Sequence, residues 1–322
     1  MQLIKPPRLL PGDTIGLVTP AGQVSQAAID KAVANAEALG FAVKLGCHVT
    51  EVYGNYAGPW QHRLEDLHAM FTDPDVKAIW AIRGGSGAMQ LLPHLDYALI
   101  RRHPKILVGY SDITALHLAI HRHAGLVTFH GPVGMSTLSD YSTTHLLNVL
   151  MRPEDEYVIP MALENSRKAA MEPGSEHYAL RTVVPGTATG ALMGGNLALV
   201  SALAGTPYAA DIRDKLLFLE EVNEEPYRVD RMMMQLNLNL NQPFRSAAGI
   251  MLGIFEGCGP ADDGPSLTLD ETTDQHLRPL TIPAVTGWSF GHIRHQFTLP
   301  MGIRARIDTE RQTVTLLEPA VR

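Results

Sequence analysis

Three features are scarce in this sequence: cysteine, long apolar runs and clustered positive charge. The two cysteines, Cys47 and Cys258, lie far apart and match no metal-ligand spacing, so no disulfide framework is expected. No apolar run approaches the length of a membrane span. The N-terminal segment MQLIKPPRLLPGDTIG contains Lys5, two adjacent prolines and Asp13 where a signal peptide needs an unbroken apolar stretch. The sequence therefore predicts a cytoplasmic protein.

The charge balance argues against two classes of partner. Lys and Arg number 26 against 33 Asp and Glu, which gives a net charge of −7, and no basic block stands out. Proteins that bind nucleic acid or an anionic membrane usually carry a basic patch. We therefore expect neither a nucleic-acid nor a membrane partner.

What the sequence does contain is an alternation of short apolar strands and helices. Hydrophobic residues make up 45% of the 322 positions, which is enough to fill a sizeable core. Apolar strands separated by helices indicate an α/β fold with a parallel sheet covered on both faces. Residues 1–153 show this pattern and are predicted to form the first domain, with strands at 14–19, 41–45, 76–82 and 106–110.

The alternation stops after residue 153. Residues 154–185 are polar and contain proline and glycine, and we interpret them as a linker. Residues 186–322 resume the pattern and are predicted to form a second domain. Its strands are expected at 216–219, 248–255 and 282–286, and the alternation in 302–317 predicts a hairpin.

One serine occupies a position typical of a nucleophile. The apolar strand 106–110 stops at Ser111, and a helical pattern follows it directly. A serine between a buried strand and a helix N-terminus lies on a sharp turn beside N–H groups that can hold an oxyanion. Serine is also a good N-cap, so the position alone leaves a purely structural role open.

A nucleophilic serine needs a base and an orienting acid. The strand 216–219 ends at Glu220 and Glu221, at the edge where parallel-sheet sites collect. Successive strand residues point to opposite faces, so only one of the two glutamates can face a given cleft. His292 follows Gly291 after another strand and is the candidate base, although a lone histidine there is often structural.

Two further patterns carry weaker signals. The cluster Arg83–Gly87 follows a strand, and its N–H groups can hold a phosphate, an oxyanion or a carboxylate. Ser86 within it is a rival nucleophile. His117 and His121 have a spacing that suits zinc, but no glutamate stands between them as H-E-x-x-H requires, so no metal site is expected.

Seven separated motifs together resemble one family, the LD-carboxypeptidases, which also includes the microcin C immunity peptidases. The motifs occur in the family's order from about residue 6 to residue 308, and they are KPPRLLPGDTIGLVTPAG, AIRGGSGAMQLLPHLD, VGYSDITALH, FHGP, GGNL, FLEEVNEEPYRVDRM and GHIRHQFTLPMG. The resemblance implies a first domain like the class I glutamine amidotransferases and a smaller C-terminal α/β domain, with the active site in the cleft between them.

The resemblance also implies the roles of individual residues. By motif, Ser111 matches the nucleophile, Glu220 the acid and His292 the general base. Backbone N–H groups of Asp112 and of the glycine loop, most of all Gly85, match the oxyanion donors. That triad uses neither a metal nor an organic cofactor, and family members are often cytoplasmic dimers.

The glycine loop departs from the family pattern. Ser86 stands where RGGYG has tyrosine, and Met89 and Gln90 stand where many members have an arginine. Gly84 and Ser86 are expected to line the substrate cleft beside Gly85, so these departures bear on the identity of the substrate.

Three hypotheses about function are considered, of which the resemblance implies the first two. The leading hypothesis is a serine carboxypeptidase that releases the terminal D-alanine from the L-centre of the diamino acid in cytoplasmic murein tetrapeptide. The second is a microcin-C-type immunity peptidase acting on aminoacyl–nucleotide conjugates, for which Trp60 or Trp288 would stack on the base. The third is a catalytically silent peptide-binding protein.

Overall fold

The computed structural model describes residues 2–238, 244–261 and 264–322. Its strands are β1 Thr14–Val18, β2 Ala42–Leu45, β3 Val76–Ala81, β4 Ile106–Gly109, β5 Phe129–His130, β6 Tyr157–Ile159, β7 Arg181–Val184, β8 Thr187–Asn196, β9 Lys215–Glu220, β10 Gly249–Ile254, β11 Ala284–Gly291, β12 Leu299–Pro300, β13 Arg304–Asp308 and β14 Thr313–Leu316. Its α-helices are α1 Gln26–Ala38, α2 Trp60–Thr72, α3 Tyr97–Arg102, α4 Thr114–Ala124, α5 Asp140–Met151, α6 Leu163–Met171, α7 Leu197–Ala202, α8 Pro226–Asn237 and α9 Leu269–Leu277.

The chain divides into two compact units, each with its own sheet. The first comprises Met1–Pro153, Thr298–Met301 and Pro319–Arg322, and the second comprises Glu154–Phe297 and Gly302–Glu318. Parallel strands occur in both sheets. The protein is therefore a mixed α/β, two-domain structure.

The first unit contains a six-stranded sheet in the order β12-β5-β4-β3-β1-β2. Strands β1 to β5 pair in parallel, and β12 adds to β5 in the antiparallel direction. Leu17, Ile79 and Leu107 are fully buried in three of these strands. Consecutive residues of these strands are buried, so both faces of the sheet are covered, which is why the strands have near-continuous apolar sequences. The parallel sheet predicted from those sequences is confirmed, whereas the likeness to glutamine amidotransferases stays a prediction.

The second unit contains an eight-stranded sheet in the order β6-β14-β13-β8-β9-β10-β11-β7. Its centre, β8 to β11, is parallel, and the outer strands are antiparallel. The predicted C-terminal hairpin is formed by β13 and β14, in which Asp308 lies opposite Thr313. Parallel neighbours end at the same edge, so side chains that follow β9, β10 and β11 come together there.

Residues 154–185 differ from the predicted linker. They contain β6, α6, a 3₁₀ helix at Glu176–Tyr178 and β7, and the two strands are the outermost strands of the second sheet. These strands have only three and four residues, and short strands are common at the edges of sheets. Runs this short, set in polar sequence, do not show the longer apolar runs of the sheet centre. With this segment included, the second unit is about as large as the first, not smaller.

Within the described ranges, no helix has both the length and the apolar character needed to cross a bilayer.

Candidate active site

Ser111 lies between a strand and a helix, as its sequence context predicts. Strand β4 ends at Gly109, and a 3₁₀ helix over Ser111–Ile113 leads into α4. Ser111 has a φ of 63°, in the left-handed region that residues with a side chain rarely adopt. Such strain occurs mainly at functional sites, and a turn of this kind projects a nucleophilic hydroxyl from a sheet edge.

The glycine loop Arg83–Gly87 packs directly against this serine. A Cβ atom at Gly84 would lie 2.7 Å from Ser111 Cβ, 2.8 Å from Ser111 Oγ and 3.1 Å from the Asp112 nitrogen. Only glycine permits this approach. Among the described residues, the N–H groups of Gly85 and Asp112 have no protein acceptor. The turn and the loop therefore hold two N–H donors in the neighbourhood of Ser111, as an oxyanion hole requires.

Substituting Gly84 should therefore damage catalysis more than folding. In Gly84→Ala the new methyl group must displace the Ser111 side chain, and we expect kcat/KM to fall at least about 100-fold, since small misplacements at the reacting atoms cost that much. Gly259→Ala is the matched control, because a Cβ there meets nothing within 4 Å. Kinetics and circular dichroism of both variants would check this. Near-normal activity of Gly84→Ala would contradict the assigned packing.

Asp112 and Arg63 hold the loop in place. Asp112 is buried, and its Oδ2 accepts a hydrogen bond from the Ala88 N–H at 2.7 Å. Burial raises the pKa of Asp112 to about 6, although that hydrogen bond and Arg63 favour the charged form. Arg63 is buried too, and it donates to the carbonyl oxygens of Pro20, Gly58 and Gly87. The sequence did not single out Arg63, which reads as an ordinary helix residue.

The departures from the family pattern have defined contacts. Arg63 Nη2 donates to Gln90 Oε1 at 2.5 Å, so Gln90 serves as an acceptor in the loop. Ser86 Oγ accepts a hydrogen bond from Asn55 Nδ2 at 2.7 Å. Arg83 donates to the Gln23 carbonyl at 3.0 Å and forms no ion pair with a carboxylate in the described part of the chain. Its charge is therefore not neutralised by a neighbouring carboxylate.

In the second unit, Glu220 and His292 are in direct contact. Glu220 ends β9, His292 follows β11, and His292 Nδ1 lies 2.7 Å from Glu220 Oε2. Glu220 is fully buried. A Cβ atom at Gly291, whose φ is 125°, would lie 2.7 Å from the Ile254 carbonyl oxygen, so glycine is needed for the chain to reach this position. A carboxylate on Nδ1 leaves Nε2 to accept a proton.

Electrostatics favours the protonated form of His292. Burial alone would lower its pKa, but the charge of Glu220, their hydrogen bond and the charge of Glu221 outweigh burial, and the pKa of His292 is raised. The pair therefore has the chemistry of a general base whose imidazolium form is stabilised by a buried carboxylate.

Glu221 has a different environment. It accepts hydrogen bonds from Asn196 Nδ2 at 2.8 Å, from the Ala198 N–H at 2.8 Å and from the Val222 N–H at 2.9 Å. Two of these donors lie at the start of α7. Burial and the neighbouring Glu220 raise the pKa of Glu221 to about 7. Its contacts are those of a helix-capping residue.

Other sequence candidates occupy structural positions. His117 is fully buried, its Nε2 lies 2.8 Å from the Gly109 carbonyl oxygen, and burial lowers its pKa to about 3. It is therefore a neutral core histidine that supports the end of β4. Trp288 is fully buried and is unavailable for stacking on a ligand, contrary to the expectation for it. Trp60 stacks on His94 with ring centroids 3.9 Å apart.

Comparison with known proteins places these features in a family. Residues 15–131 match the LD-carboxypeptidase N-terminal domain, and residues 189–307 match the LD-carboxypeptidase C-terminal domain. The chain belongs to the LD-carboxypeptidase family. It is accordingly an enzyme, a serine-type peptidase.

Individual relatives cover nearly the whole chain. A probable murein peptide carboxypeptidase of Bacillus subtilis is 37% identical over 97% of this chain and 94% of its own length. The murein tetrapeptide carboxypeptidase of Pseudomonas aeruginosa is 32% identical over 92% of this chain and 94% of its own length. The crystal structure of an MccF-like protein from Bacillus anthracis shares 31% identity and a TM-score of 0.81, covering 98% of this chain and 99% of that one.

Proposed function

We propose that this protein is a carboxypeptidase that cleaves the L,D-peptide bond of cytoplasmic murein tetrapeptides and releases the terminal D-alanine. Ser111 is the nucleophile, His292 the general base and Glu220 the orienting acid. The observation that carries the proposal is the contact between Glu220 and His292, because residues far apart in sequence meet as a buried acid–base pair. The strained turn at Ser111 and the carboxypeptidase relatives support it.

The reaction follows from these groups. His292 Nε2 takes the proton of Ser111 Oγ as the oxygen attacks the scissile carbonyl carbon. Glu220 accepts a hydrogen bond from the Nδ1–H of His292 and stabilises the imidazolium. The N–H groups of Gly85 and Asp112 bind the oxyanion. Collapse of the intermediate breaks the C–N bond, and His292 gives its proton to the departing D-alanine amine. Water, activated by His292, then hydrolyses the acyl-enzyme.

A carboxypeptidase must also bind the free carboxylate beside the scissile bond. The remaining N–H groups of the glycine loop and the helix start after Ser111 are donors of the required kind. Arg83 adds an un-neutralised positive charge at the start of that loop. These groups form the proposed subsite for the terminal carboxylate of D-alanine.

Amidating that carboxylate tests the subsite and the substrate class together. The amide loses charge-assisted hydrogen bonds worth about 1.5–3 kcal/mol for a bond to a charged group. We expect kcat/KM to fall about 10- to 150-fold relative to the free tetrapeptide. The measurement compares D-alanine release with D-alaninamide release by mass spectrometry, and the Ser111→Ala variant serves as the blank. Equal rates would remove the carboxypeptidase assignment.

A second function is supported by the likeness to the MccF-like structure. In that case the substrate is an aminoacyl–nucleotide conjugate, and the same triad would cleave it. Two tryptophans were expected to stack on a base. Trp288 is buried, whereas Trp60 is partly exposed and remains the candidate for this role. Incubation with aminoacyl-sulfamoyl-adenosine separates the two functions, since this branch predicts rapid cleavage of the conjugate and little dependence on a terminal carboxylate. A catalytically silent protein is not proposed, because the family consists of peptidases.

A further inference from the structure

A cluster of metal-binding side chains lies in the first unit, outside the groups that the reaction uses. His48 and Glu51 occupy the segment after β2, where the Glu51 N–H donates to the His48 carbonyl oxygen at 3.0 Å. His62 lies in the first turn of α2. Each of the three offers a ligand atom, and these atoms all lie within 4.8 Å of one another. Hereafter they are called the His48–Glu51–His62 cluster.

A buried carboxylate orients the first histidine. Asp66 is 4% exposed, and its two oxygens accept from the His48 backbone N–H at 3.0 Å and contact His48 Nδ1 at 2.8 Å. A carboxylate on one ring nitrogen is the usual support of a metal-binding histidine, because it leaves the other nitrogen as the ligand. Asp66 thus gives His48 the carboxylate partner that commonly orients a metal-binding histidine.

The second histidine lies beside the first with its own carboxylate. His62 Nδ1 is 2.8 Å from Glu51 Oε2, and the rings of His48 and His62 stack with centroids 4.4 Å apart. The side chains of His62 and Glu51 are 43% and 35% exposed. Two imidazoles and one carboxylate are therefore collected on a surface that solvent ions can reach.

We propose that the His48–Glu51–His62 cluster binds one zinc ion, with Asp66 as a positioning residue and water as the fourth ligand. Zinc takes nitrogen at about 2.0–2.1 Å and carboxylate oxygen at about 2.0–2.2 Å, so tetrahedral ligands lie ~3.3 Å apart. The donors must therefore draw together by up to about 1.5 Å. Rotation of the partly exposed side chains provides this, with the metal replacing the His62–Glu51 contact.

The ion would stabilise the segment that contacts the glycine loop. It would take no part in peptide cleavage. The segment 46–59 that carries two of the ligands also carries Asn55, which donates to Ser86 Oγ, and Tyr56, whose ring lies 5.2 Å from the Arg63 guanidinium carbon. A metal that links His48 and Glu51 to His62 of α2 would restrict the motion of this segment. The inference is independent of which peptide or conjugate the enzyme cleaves.

Metal titration of the full-length, tag-free and chelator-treated protein tests the site. Zinc is titrated by calorimetry, and cobalt is used as a spectroscopic substitute whose visible absorption reports tetrahedral coordination. We expect one ion per chain. His48→Gln, His62→Gln and Glu51→Gln should each weaken zinc binding at least tenfold, and Asp66→Asn should weaken it about 10- to 100-fold.

His103→Gln is the matched control, because His103 is an exposed histidine that is not one of the three grouped side chains. It should leave zinc affinity and the cobalt spectrum unchanged. Circular dichroism and the Tm of each variant in chelator verify that the metal-free fold is intact. The proposal is overturned if zinc does not bind, or if binding is equal in the parent and in all three ligand variants. Peptidase activity is not the readout, so failure here leaves the proposed function standing.

Discussion

Ser111→Ala should abolish turnover almost completely while leaving the fold intact. We expect kcat to fall on the order of 10⁴-fold or more, because the members of a triad act as a unit and removing the nucleophile removes the acyl-enzyme route. Alanine, like serine, carries a Cβ atom and meets a similar steric cost at a φ of 63°, so the strain of the turn stays about the same. The measurement is D-alanine release from murein tetrapeptide, with circular dichroism as the check on folding.

Ser86→Ala is the control for the nucleophile. Ser86 lies in the glycine loop that packs against Ser111, and its hydroxyl accepts a hydrogen bond from Asn55, so its substitution should keep activity within about tenfold. A serine-directed phosphonate adds a second readout, since its mass should appear on Ser111 and its reaction should be much slower in His292→Ala. Activity of Ser111→Ala within about tenfold of the parent would refute the assigned nucleophile.

Glu220→Gln should cost about 10³- to 10⁴-fold in kcat, because the amide no longer stabilises the imidazolium or fixes the tautomer of His292. The pH profile gives a further test. The base must be neutral to act, so activity is lost as pH falls through the raised pKa of His292. The negative charge of Glu220 raises that pKa, so the acid limb of the residual activity should move to lower pH in Glu220→Gln.

Glu221→Gln is the matched comparison one residue away. Glu221 caps α7 and has a pKa raised to about 7, so it is already partly protonated at neutral pH and an amide resembles that form. We expect kcat within about tenfold of the parent and a loss of about 1–3 kcal/mol in the free energy of unfolding, measured with urea. If Glu221→Gln were the more damaging to kcat, the assigned acid and the strand phase would both be wrong.

Much of the secondary structure was predictable because it depends on near neighbours. The strands at 76–82 and 106–110 were predicted within about one residue of their observed bounds. Each is a short, mostly apolar run that begins soon after a proline and is closed by a glycine. The turn at Ser111 was predictable for the same reason. An apolar strand is followed at once by a helical pattern, so the chain must turn sharply between them.

Three features were missed, each for a tertiary reason. The edge strands β6 and β7 have only three and four residues, and they become strands by pairing with β14 and β11, far away in sequence. Arg63 has the sequence context of a surface helix residue, yet carbonyl oxygens from distant loops satisfy its donors and bury it. Trp288 was one of two tryptophans expected to stack on a ligand, but it is fully buried and its strand lies inside the second sheet.

The sequence by itself determined the class of fold, the turn that presents Ser111 and the fact that only one of Glu220 and Glu221 can face a given side of β9. These follow from period and turn chemistry, which act over a few residues. Only the tertiary structure decided which strands are neighbours. The order β9-β10-β11 brings the ends of β9 and β11 to one edge, and with them Glu220 to 2.7 Å from a histidine 72 residues away. Strand order arises from the packing of whole sheets, so local pattern alone does not contain it.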